Sequence, residues 1–320
     1  MDFNLLSPVS NLLIDDIKLS HLRTLGRKIK IHTNEIQPEL ENVDIAIIGV
    51  LEYRNSVDYI EQTLNLNEVR KSLYNLFPGN WSSKIIDLGD VLIGDQVKDT
   101  YSSVTHFVSS LLMKNITPIL IGGSQDLTYA SYRAYDNIKP MINIINIDNS
   151  FDLGDSSKPI TNQNYIGKVI LDKPYNLFNY STIGFQTYFN SQEEIDLMEK
   201  LYFEYERLGD INYNIKSVEP SMRDADLVTI DLNSVKSSEV SLKQKFSPNG
   251  FNGREICAIS RYAGISNKVS SFGIYEYKSS INDEATAMLI AQMIWYFIEG
   301  YNCRVKDDNF QNPDEFNKYT

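Results

Sequence analysis

The sequence predicts an α/β fold, a three-layer sandwich with a mostly parallel central sheet between two layers of helices. Short apolar runs of strand length alternate with longer segments of helical period, which is typical of βαβ units. The runs are rich in Ile and Val, and this indicates strands that are buried on both faces. A chain of 320 residues with 42% hydrophobic content is long enough to bury a large core as one domain.

Seven apolar runs have the length and composition of strands. In chain order these predicted strands are 44–50, 84–88, 117–123, 141–148, 181–187, 226–231 and 269–277. Helical periodicity predicts helices at 105–115 and 193–209. A last helix is predicted from about residues 282–284 to Gly300, because a capping side chain and two acidic residues suit a helix start.

The predicted organisation is a single α/β domain over residues 41–303 with a less regular segment on each side. Residues 1–40 are interpreted as an N-terminal arm and residues 304–320 as a polar C-terminal tail. Two alternatives stay open for both segments, packing on a neighbour or loose order.

Composition excludes several classes of protein. The formal charge of -12, from 42 acidic and 30 basic residues, would repel a phosphate backbone, so a nucleic-acid partner is not expected. Cys257 and Cys303 have no short-range spacing, which suits a reducing compartment. The start of the chain lacks a positive signal region, and the most apolar stretch, 285–298, is too short to span a bilayer. We therefore expect a cytoplasmic protein without a membrane partner.

Acidic residues follow two of the predicted strands. Asp148 and Asp152 end one apolar run, and Asp231 ends another. Ligands of open α/β sheets bind at the carboxyl ends of the strands, and clustered carboxylates there bind hard cations. A third strand runs into Gly122 and Gly123, which we interpret as a tight turn required by the fold, since no phosphate-binding glycine motif accompanies them.

Three segments carry a family resemblance: 122–126 (Gly-Gly-Ser-Gln-Asp), 148–152 (Asp-Asn-Ser-Phe-Asp) and 229–233 (Thr-Ile-Asp-Leu-Asn). They resemble, in order, the Gly-Gly-Asp-His-Ser, Asp-Ala-His-x-Asp and Ser-x-Asp-x-Asp motifs of the arginase, agmatinase and formimidoylglutamase family of ureohydrolases. Further on, 248–251 and the pair 254–255 resemble the family's Pro-Gly-Gly-Leu and Arg-Glu. The resemblance covers residues from about 40 to about 300 and implies an arginase-like fold.

The resemblance also implies where a metal centre would lie, since active members of the family hold two manganese ions. The corresponding ligand positions are Gln125, Asp148, Ser150, Asp152, Asp231 and Asn233. Gln125 and Ser150 stand in place of the two histidines, and Asn233 stands in place of an aspartate. The more buried ion position keeps three carboxylates and gains an amide oxygen, a set that favours Mg²⁺, Ca²⁺ or Mn²⁺ over zinc. Glu276 resembles the family's C-terminal glutamate and is the candidate catalytic residue.

Two states of the site stay open, and a two-manganese centre is not expected. One is a site with a single divalent cation. The other is a site without a cation, in which Lys236 or Arg254 compensates the repulsion between the three carboxylates. The histidines, His21, His32 and His106, lie outside the motifs and are expected to be solvated or satisfied in the core.

These states correspond to different functions. The first hypothesis is a catalytically degenerate ureohydrolase-like protein, a pseudoenzyme. The second is an active hydrolase of non-peptide C–N bonds in linear amidines or guanidines, similar to formimidoylglutamase or agmatinase and working with one metal. The third is an oligomeric scaffold or binding protein. The expected partners are a small amidine or guanidine ligand and further copies of the chain, and the sequence does not name a substrate.

Overall fold

The structure is a computed structural model of the chain that describes residues 2–59, 61, 64–240, 247–278 and 283–305. Within these residues, ten strands form one sheet with helices packed on both of its faces. The predicted three-layer α/β sandwich is therefore confirmed. Among the described helices, none combines the length and apolar character that a membrane crossing requires.

All seven predicted strands are present, with ends that differ from the predicted ends by a few residues. The ten strands are β1 (Leu6–Ser7), β2 (Lys30–Ile31), β3 (Ile45–Gly49), β4 (Ile85–Val91), β5 (Thr117–Ile121), β6 (Ile142–Ile147), β7 (Leu177–Phe185), β8 (Glu204–Arg207), β9 (Leu227–Asp231) and β10 (Ser271–Tyr275). Their order across the sheet is β1-β4-β3-β5-β10-β9-β6-β7-β8, and β2 also pairs with β4. The pairings are parallel except for that of β1 with β4.

The α-helices of the described residues connect the strands and cover the sheet. They are α1 (Asn11–Leu19), α2 (Asn67–Asn75), α3 (Val97–Leu112), α4 (Leu127–Arg133), α5 (Tyr165–Leu171), α6 (Gln192–Lys200), α7 (Leu208–Tyr213), α8 (Val218–Met222), α9 (Gly253–Ile265) and α10 (Glu284–Asn302). The predicted helix at 105–115 is the second half of α3, which starts earlier because Gln96 and Asp99 form a capping box. The last predicted helix is α10, and Asp283 caps it by accepting the N–H of Thr286 at 3.1 Å.

Alternate residues of a strand contribute to opposite cores, as the two-residue repeat of a strand requires. Ile45 and Ile47 of β3 pack in the cluster that contains α2, α9 and α10. Ala46 and Ile48 pack in the cluster that contains α3 and α4. Because both faces of the strand are buried, its sequence is continuously apolar instead of alternating.

Residues 2–40 lie against one edge of the sheet. β1 and β2 both pair with β4, and α1 packs beside α2 through a small cluster that includes Val9, Leu13 and Tyr74. The segment interpreted as an arm therefore packs on its own chain, because two short strands satisfy the backbone of β4. Of the predicted tail, Arg304 and Val305 lie within the described residues, and the remainder lies outside them.

The predicted helix at 193–209 is wrong in its second half. α6 ends at Lys200, and Tyr202 then adopts a left-handed backbone with φ 57°, which stops the helix. The chain continues as β8, whose four residues pair with β7 at the edge of the sheet. Its sequence, Glu-Tyr-Glu-Arg, is polar because an edge strand is partly exposed.

Candidate functional site

A cavity of about 650 Å³ lies at the carboxyl ends of the central strands. Its lining includes Asn149, Ser150 and Asp152 after β6, Phe189 after β7 and Asn233 after β9. Three of the six metal-ligand positions expected from the sequence thus face one cavity. Among the described residues, half of the lining consists of neutral amides and hydroxyls, and the charged lining residues are Asp152, Asp155, Lys158 and Glu194.

Asp148 follows β6 directly and is completely buried. Its Oδ1 accepts the backbone N–H groups of Asn149 at 2.6 Å and Ser150 at 3.2 Å, and its Oδ2 accepts Asn146 Nδ2 at 3.1 Å. These donors come from the strand end and the turn that follows it, so the orientation of the carboxylate is fixed by local chain geometry.

Asp152 and Ser150 lie on the same turn and are bonded to each other. The Ser150 hydroxyl donates to Asp152 Oδ1 at 2.9 Å. Asp152 adopts a left-handed backbone with φ 53°, a conformation that aspartate tolerates better than most residues. The turn therefore directs the Asp152 carboxylate and the Ser150 hydroxyl at each other on the wall of the cavity.

Asp231 is the last residue of β9, and Asn233 lies in the short 3₁₀ turn that follows, Leu232–Ser234. Asp231 Oδ1 accepts the N–H of Asn233 at 2.6 Å, and the Ser234 hydroxyl donates to the Asp231 carbonyl at 2.6 Å. Asn149 Nδ2 donates to the Asn233 carbonyl at 2.8 Å, which joins the segment after β6 to the segment after β9. The two acidic segments identified from the sequence are thus held side by side.

Gln125 is completely buried and lies next to the cluster formed by Asp148, Asp152 and Asp231, to which Asn146 connects it. Its Nε2 donates to Asn146 Oδ1 at 2.8 Å and lies within 3.5 Å of Tyr165 and Thr229 oxygens. Its Oε1 has no hydrogen-bond partner within the part of the chain that the structure describes. A buried amide oxygen in that state has a free lone pair for a ligand or a water molecule.

Two buried tyrosines support the same cluster. Burial, together with Tyr180 and the carboxylates of Asp152 and Asp148, raises the pKa of the Tyr165 phenol well above its ordinary value. Burial and the same two carboxylates raise the pKa of Tyr180 in the same direction. Both phenols are therefore protonated at neutral pH and act as neutral hydrogen-bonding groups.

Glu276 follows β10 and is almost completely buried. Its Oε1 accepts Gln125 N–H at 2.9 Å, Asn162 Nδ2 at 3.0 Å and the Ser124 hydroxyl at 3.3 Å. Its backbone is left-handed, with φ 63°, and its own N–H donates to the Gly123 carbonyl at 2.7 Å. The candidate catalytic carboxylate is thus rigid and lies next to the backbone of Gln125.

Lys278 is a site residue that the sequence did not reveal. Its Nζ lies 3.0 Å from Glu276 Oε2, and its side chain is only 10% exposed. Glu276 and Lys278 are two positions apart just after β10, and from the sequence alone an extended continuation of the strand would place their side chains on one side. That spacing was the available signal, but a Glu-x-Lys pair is too common to distinguish a buried ion pair.

The cations that the sequence suggested for charge compensation are placed differently. Arg254 is exposed in the first turn of α9, and Lys236 is partly exposed, with its backbone N–H bonded to Phe251. Within the described residues, neither side chain is seen bonded to the three aspartates. The three histidines lie away from the cavity, and His32 is satisfied in the core by the Leu88 carbonyl at 3.0 Å from its Nδ1.

Asp126 is a buried acid near the site that the sequence did not single out. Burial, with a smaller contribution from the charge of Glu276, raises the pKa of Asp126 to about 6. The Tyr101 hydroxyl donates to its Oδ2. Asp126 follows Gln125 directly, so the turn after β5 places one polar residue toward the aspartate cluster and the next toward α3.

Comparisons with known proteins identify the family of the chain. The sequence profile of the arginase family matches residues 49–299, which is most of the chain. The chain belongs to the arginase family. A formimidoylglutamase from Staphylococcus haemolyticus is 26% identical over 225 residues, covering 67% of this chain and 71% of the relative. One from Clostridium tetani is 24% identical over 237 residues, covering 68% of this chain and 69% of the relative.

Solved structures of arginase-family proteins share the fold. Formimidoylglutamase from Bacillus subtilis superposes with a TM-score of 0.76 at 17% identity, over 88% of this chain and 92% of that one. The formiminoglutamase of Trypanosoma cruzi, solved with Mn²⁺, gives a TM-score of 0.74 at 16% identity, over 88% of this chain and 99% of that one. At these identities the likeness establishes an arginase-like fold, and the chemistry depends on the side chains of this site.

The described residues contain no group of three or more His, Cys, Asp or Glu side chains arranged to hold a metal ion. The side chains brought together at the strand ends are instead carboxylates interleaved with amides and hydroxyls.

Proposed function

We propose that this protein is a catalytically degenerate member of the arginase family that keeps the cleft as a binding site for a small polar molecule. One observation carries the proposal: the Ser150 hydroxyl donates to Asp152 Oδ1 at 2.9 Å, at a position where the family resemblance expects a metal-binding imidazole. A serine in this arrangement donates its hydroxyl proton to a neighbouring carboxylate. Its oxygen is also a weaker metal ligand than an imidazole nitrogen.

The remaining donor set does not fit a pair of manganese ions. Ser150 and Asn233 are the two ligand positions that would belong to the second ion alone, and both are neutral oxygen donors. Two-metal hydrolysis requires cations that acidify a shared water and stabilise both the attacking and leaving groups. Without the charge and basicity of the replaced ligands, the cleft has little means of generating hydroxide at neutral pH.

Protein donors already stabilise the carboxylates of the cluster, which supports the same proposal. Asp148 accepts from two backbone N–H groups and from Asn146, and Asp231 accepts from the N–H of Asn233. Carboxylates held in this way keep their orientation without a cation. The cavity of about 650 Å³ has the size of a small-molecule site, and its amides and hydroxyls can form hydrogen bonds with a polar ligand.

Metal analysis joined to an activity assay tests the proposal. The protein is loaded with manganese, dialysed and measured by elemental analysis, and release of urea, ammonia or formamide is measured with linear amidines and guanidines. We expect less than one manganese per chain and no turnover. Two manganese ions per chain together with turnover would refute the proposal.

A variant provides the positive control for this test. The triple substitution Gln125→His, Ser150→His and Asn233→Asp restores the ligand types that the resemblance expects. We expect it to gain manganese relative to the wild type, because imidazole and carboxylate replace neutral oxygen donors. If wild type and triple variant bind manganese equally, the replaced residues are not what limits metal binding.

A single-cation site is a second candidate, and one observation favours it. Gln125 Oε1 is buried without a hydrogen-bond partner among the described residues, while its Nε2 is fixed by Asn146. If the site holds one cation, Gln125, Asp148, Asp152 and Asp231 would hold it, and all are oxygen donors suited to Mg²⁺, Ca²⁺ or Mn²⁺. Calorimetric titration with each ion tests this candidate. Binding of one ion per chain, with an affinity that Gln125→Leu lowers, would support it, and the absence of binding would exclude it.

A further inference from the structure

The buried ion pair between Glu276 and Lys278 has no role in the metal chemistry considered above. Lys278 Nζ lies 3.0 Å from Glu276 Oε2, and the two side chains are 10% and 1% exposed. Lys278 Nζ also lies 3.4 Å from the Ser56 hydroxyl. An ion pair this deeply buried is costly to form and very costly to leave half complete, because the remaining charge would be buried alone.

Glu276 is held as a rigid anion on its other side. Its Oε1 accepts from Gln125 N–H, Asn162 Nδ2 and the Ser124 hydroxyl, at 2.9, 3.0 and 3.3 Å. All three donors are neutral, so they orient the carboxylate without cancelling its charge. Within the described residues, the group that neutralises it is the ammonium of Lys278.

The ion pair lies directly behind the wall of the cavity. Asn162 donates to Glu276 through Nδ2 and accepts the N–H of Val57 through Oδ1 at 3.1 Å. Val57 and Thr161, the neighbour of Asn162, both line the cavity. Gln125, whose N–H is bonded to Glu276, reaches the aspartate cluster through Asn146. Glu276 is therefore connected to the cavity wall through Asn162 and to the aspartates through Gln125 and Asn146.

We propose that Lys278 is a built-in cation that occupies the Oε2 side of the Glu276 carboxylate, so that the cleft selects ligands without an amidinium, guanidinium or ammonium group at this position. The inference rests on the proposed ligand-binding role of the cleft and narrows the class of ligand. An external cation would have to displace a tethered ammonium that is present at very high effective concentration. A neutral polar ligand faces no such competition.

Lys158 provides the control for Lys278. Among the described residues that line the cavity, it is the lysine. It is exposed, and its Nζ lies 3.7 Å from the exposed carboxylate of Asp155. A pair of this kind contributes little and is readily replaced by water and salt. Lys158→Ala therefore removes a lysine from the cleft without vacating the position beside Glu276.

Chemical complementation tests the inference. The Lys278→Ala variant lacks the three terminal carbons and the ammonium, which n-propylammonium supplies as a separate molecule. At constant ionic strength, we expect n-propylammonium and methylguanidinium to raise the melting temperature of Lys278→Ala saturably, with Kd values at least about tenfold lower than for wild type or Lys158→Ala. The double variant Lys278→Ala and Glu276→Gln should lose this response, because the anion is gone.

Other outcomes would overturn the inference. Equal binding of methylguanidinium to wild type and Lys278→Ala would mean that the lysine does not occupy the cation position, and so would a folded Lys278→Ala that binds neither cation. If Lys278→Ala does not fold alone, its refolding yield with n-propylammonium is compared with that in sodium chloride, and an unchanged yield is equally contrary. None of these measurements involves a metal or turnover. If metal analysis found two manganese ions per chain with turnover, the proposed function would be refuted, and the outcome of the complementation test would still be independent.

Discussion

At the scale of single residues, two acidic residues of the site have backbone conformations that cost free energy. Asp152 and Glu276 have φ values of 53° and 63°. A left-handed conformation of a non-glycine residue costs on the order of 1 kcal/mol or more, and the surrounding contacts must supply that energy. In Glu276 these contacts are its bonds to Gly123 and Gln125 and the ion pair with Lys278.

Asp126 makes the stability of the protein depend on pH. Burial and the nearby charge of Glu276 raise the pKa of Asp126 to about 6 in the folded protein, from an ordinary value of 3.8. A carboxyl group with a raised pKa stabilises the fold while it is protonated, and this contribution is lost as pH rises through the folded-state pKa. We expect Asp126 to reduce the free energy of unfolding by about 1 to 2 kcal/mol between about pH 5 and about pH 8.

Denaturant unfolding of wild type and Asp126→Asn at the two pH values measures this contribution. The variant should lose the Asp126 part of the pH dependence, because an amide does not titrate. Asp155→Asn is the matched control, since Asp155 is exposed and hydrogen bonds from Ser157 lower its pKa. If Asp126→Asn and the wild type show the same pH dependence over this range, the Asp126 carboxyl is not titrating there.

At the scale of elements, the turn between β5 and α4 positions the site through its backbone. Gly123 has φ 68°, and its N–H is bonded to the Tyr53 hydroxyl at 3.0 Å. A Cβ at this position would lie 2.1 Å from Leu127 Cδ1 and 2.6 Å from the Val50 carbonyl oxygen. Glycine is therefore required by both the backbone conformation and the close approach of the chain.

Gly123→Ala should lower the free energy of unfolding by about 2 kcal/mol or more, because the variant adds a clash to an unfavourable φ. Gly209→Ala is the matched control. Among the described residues, and apart from its chain neighbours and the backbone of its own helix, no atom lies within 4 Å of a Cβ placed there. Gly209 is in α7, where alanine is the better helix former. Denaturant melts should show a neutral or slightly stabilised control. A Gly123→Ala variant as stable as the wild type would mean that the turn relaxes without cost.

The strand ends that carry the site were predictable because long apolar runs bounded by polar residues have a strong signal. β6 and β9 end at Ile147 and Asp231, and the expected acidic residues follow at those places. β8 was missed because its residues are polar, and β1 and β2 are too short for a periodic pattern. The ion pair of Glu276 and Lys278 could not be inferred, because burial and closeness of the two groups depend on the whole fold.

At the scale of the whole molecule, the N-terminal segment, interpreted from the sequence as an arm, lies against the sheet of its own chain. Residues 6–7 and 30–31 extend the sheet on the side of β4, and α1 packs on α2. The segment's apolar residues are divided among short segments, and β1 and β2 have two residues each, so no strand-length apolar run in the sequence predicts its position. Its position is determined by the unpaired edge of β4 and by the apolar surface of α2, which are features of the assembled domain.

Adjacent leucines of α1 test whether this segment is part of the folding unit. Leu13 is 5% exposed and packs with Val9 and Tyr74, whereas Leu12 is 78% exposed. If α1 folds with the domain, Leu13→Ala should lower the free energy of unfolding by about 2 to 4 kcal/mol, since it leaves a cavity in a packed cluster. Leu12→Ala should change it by less than about 0.5 kcal/mol. Equal, small effects of the two substitutions in a denaturant melt would mean that the segment contributes nothing to global stability and behaves as an arm after all.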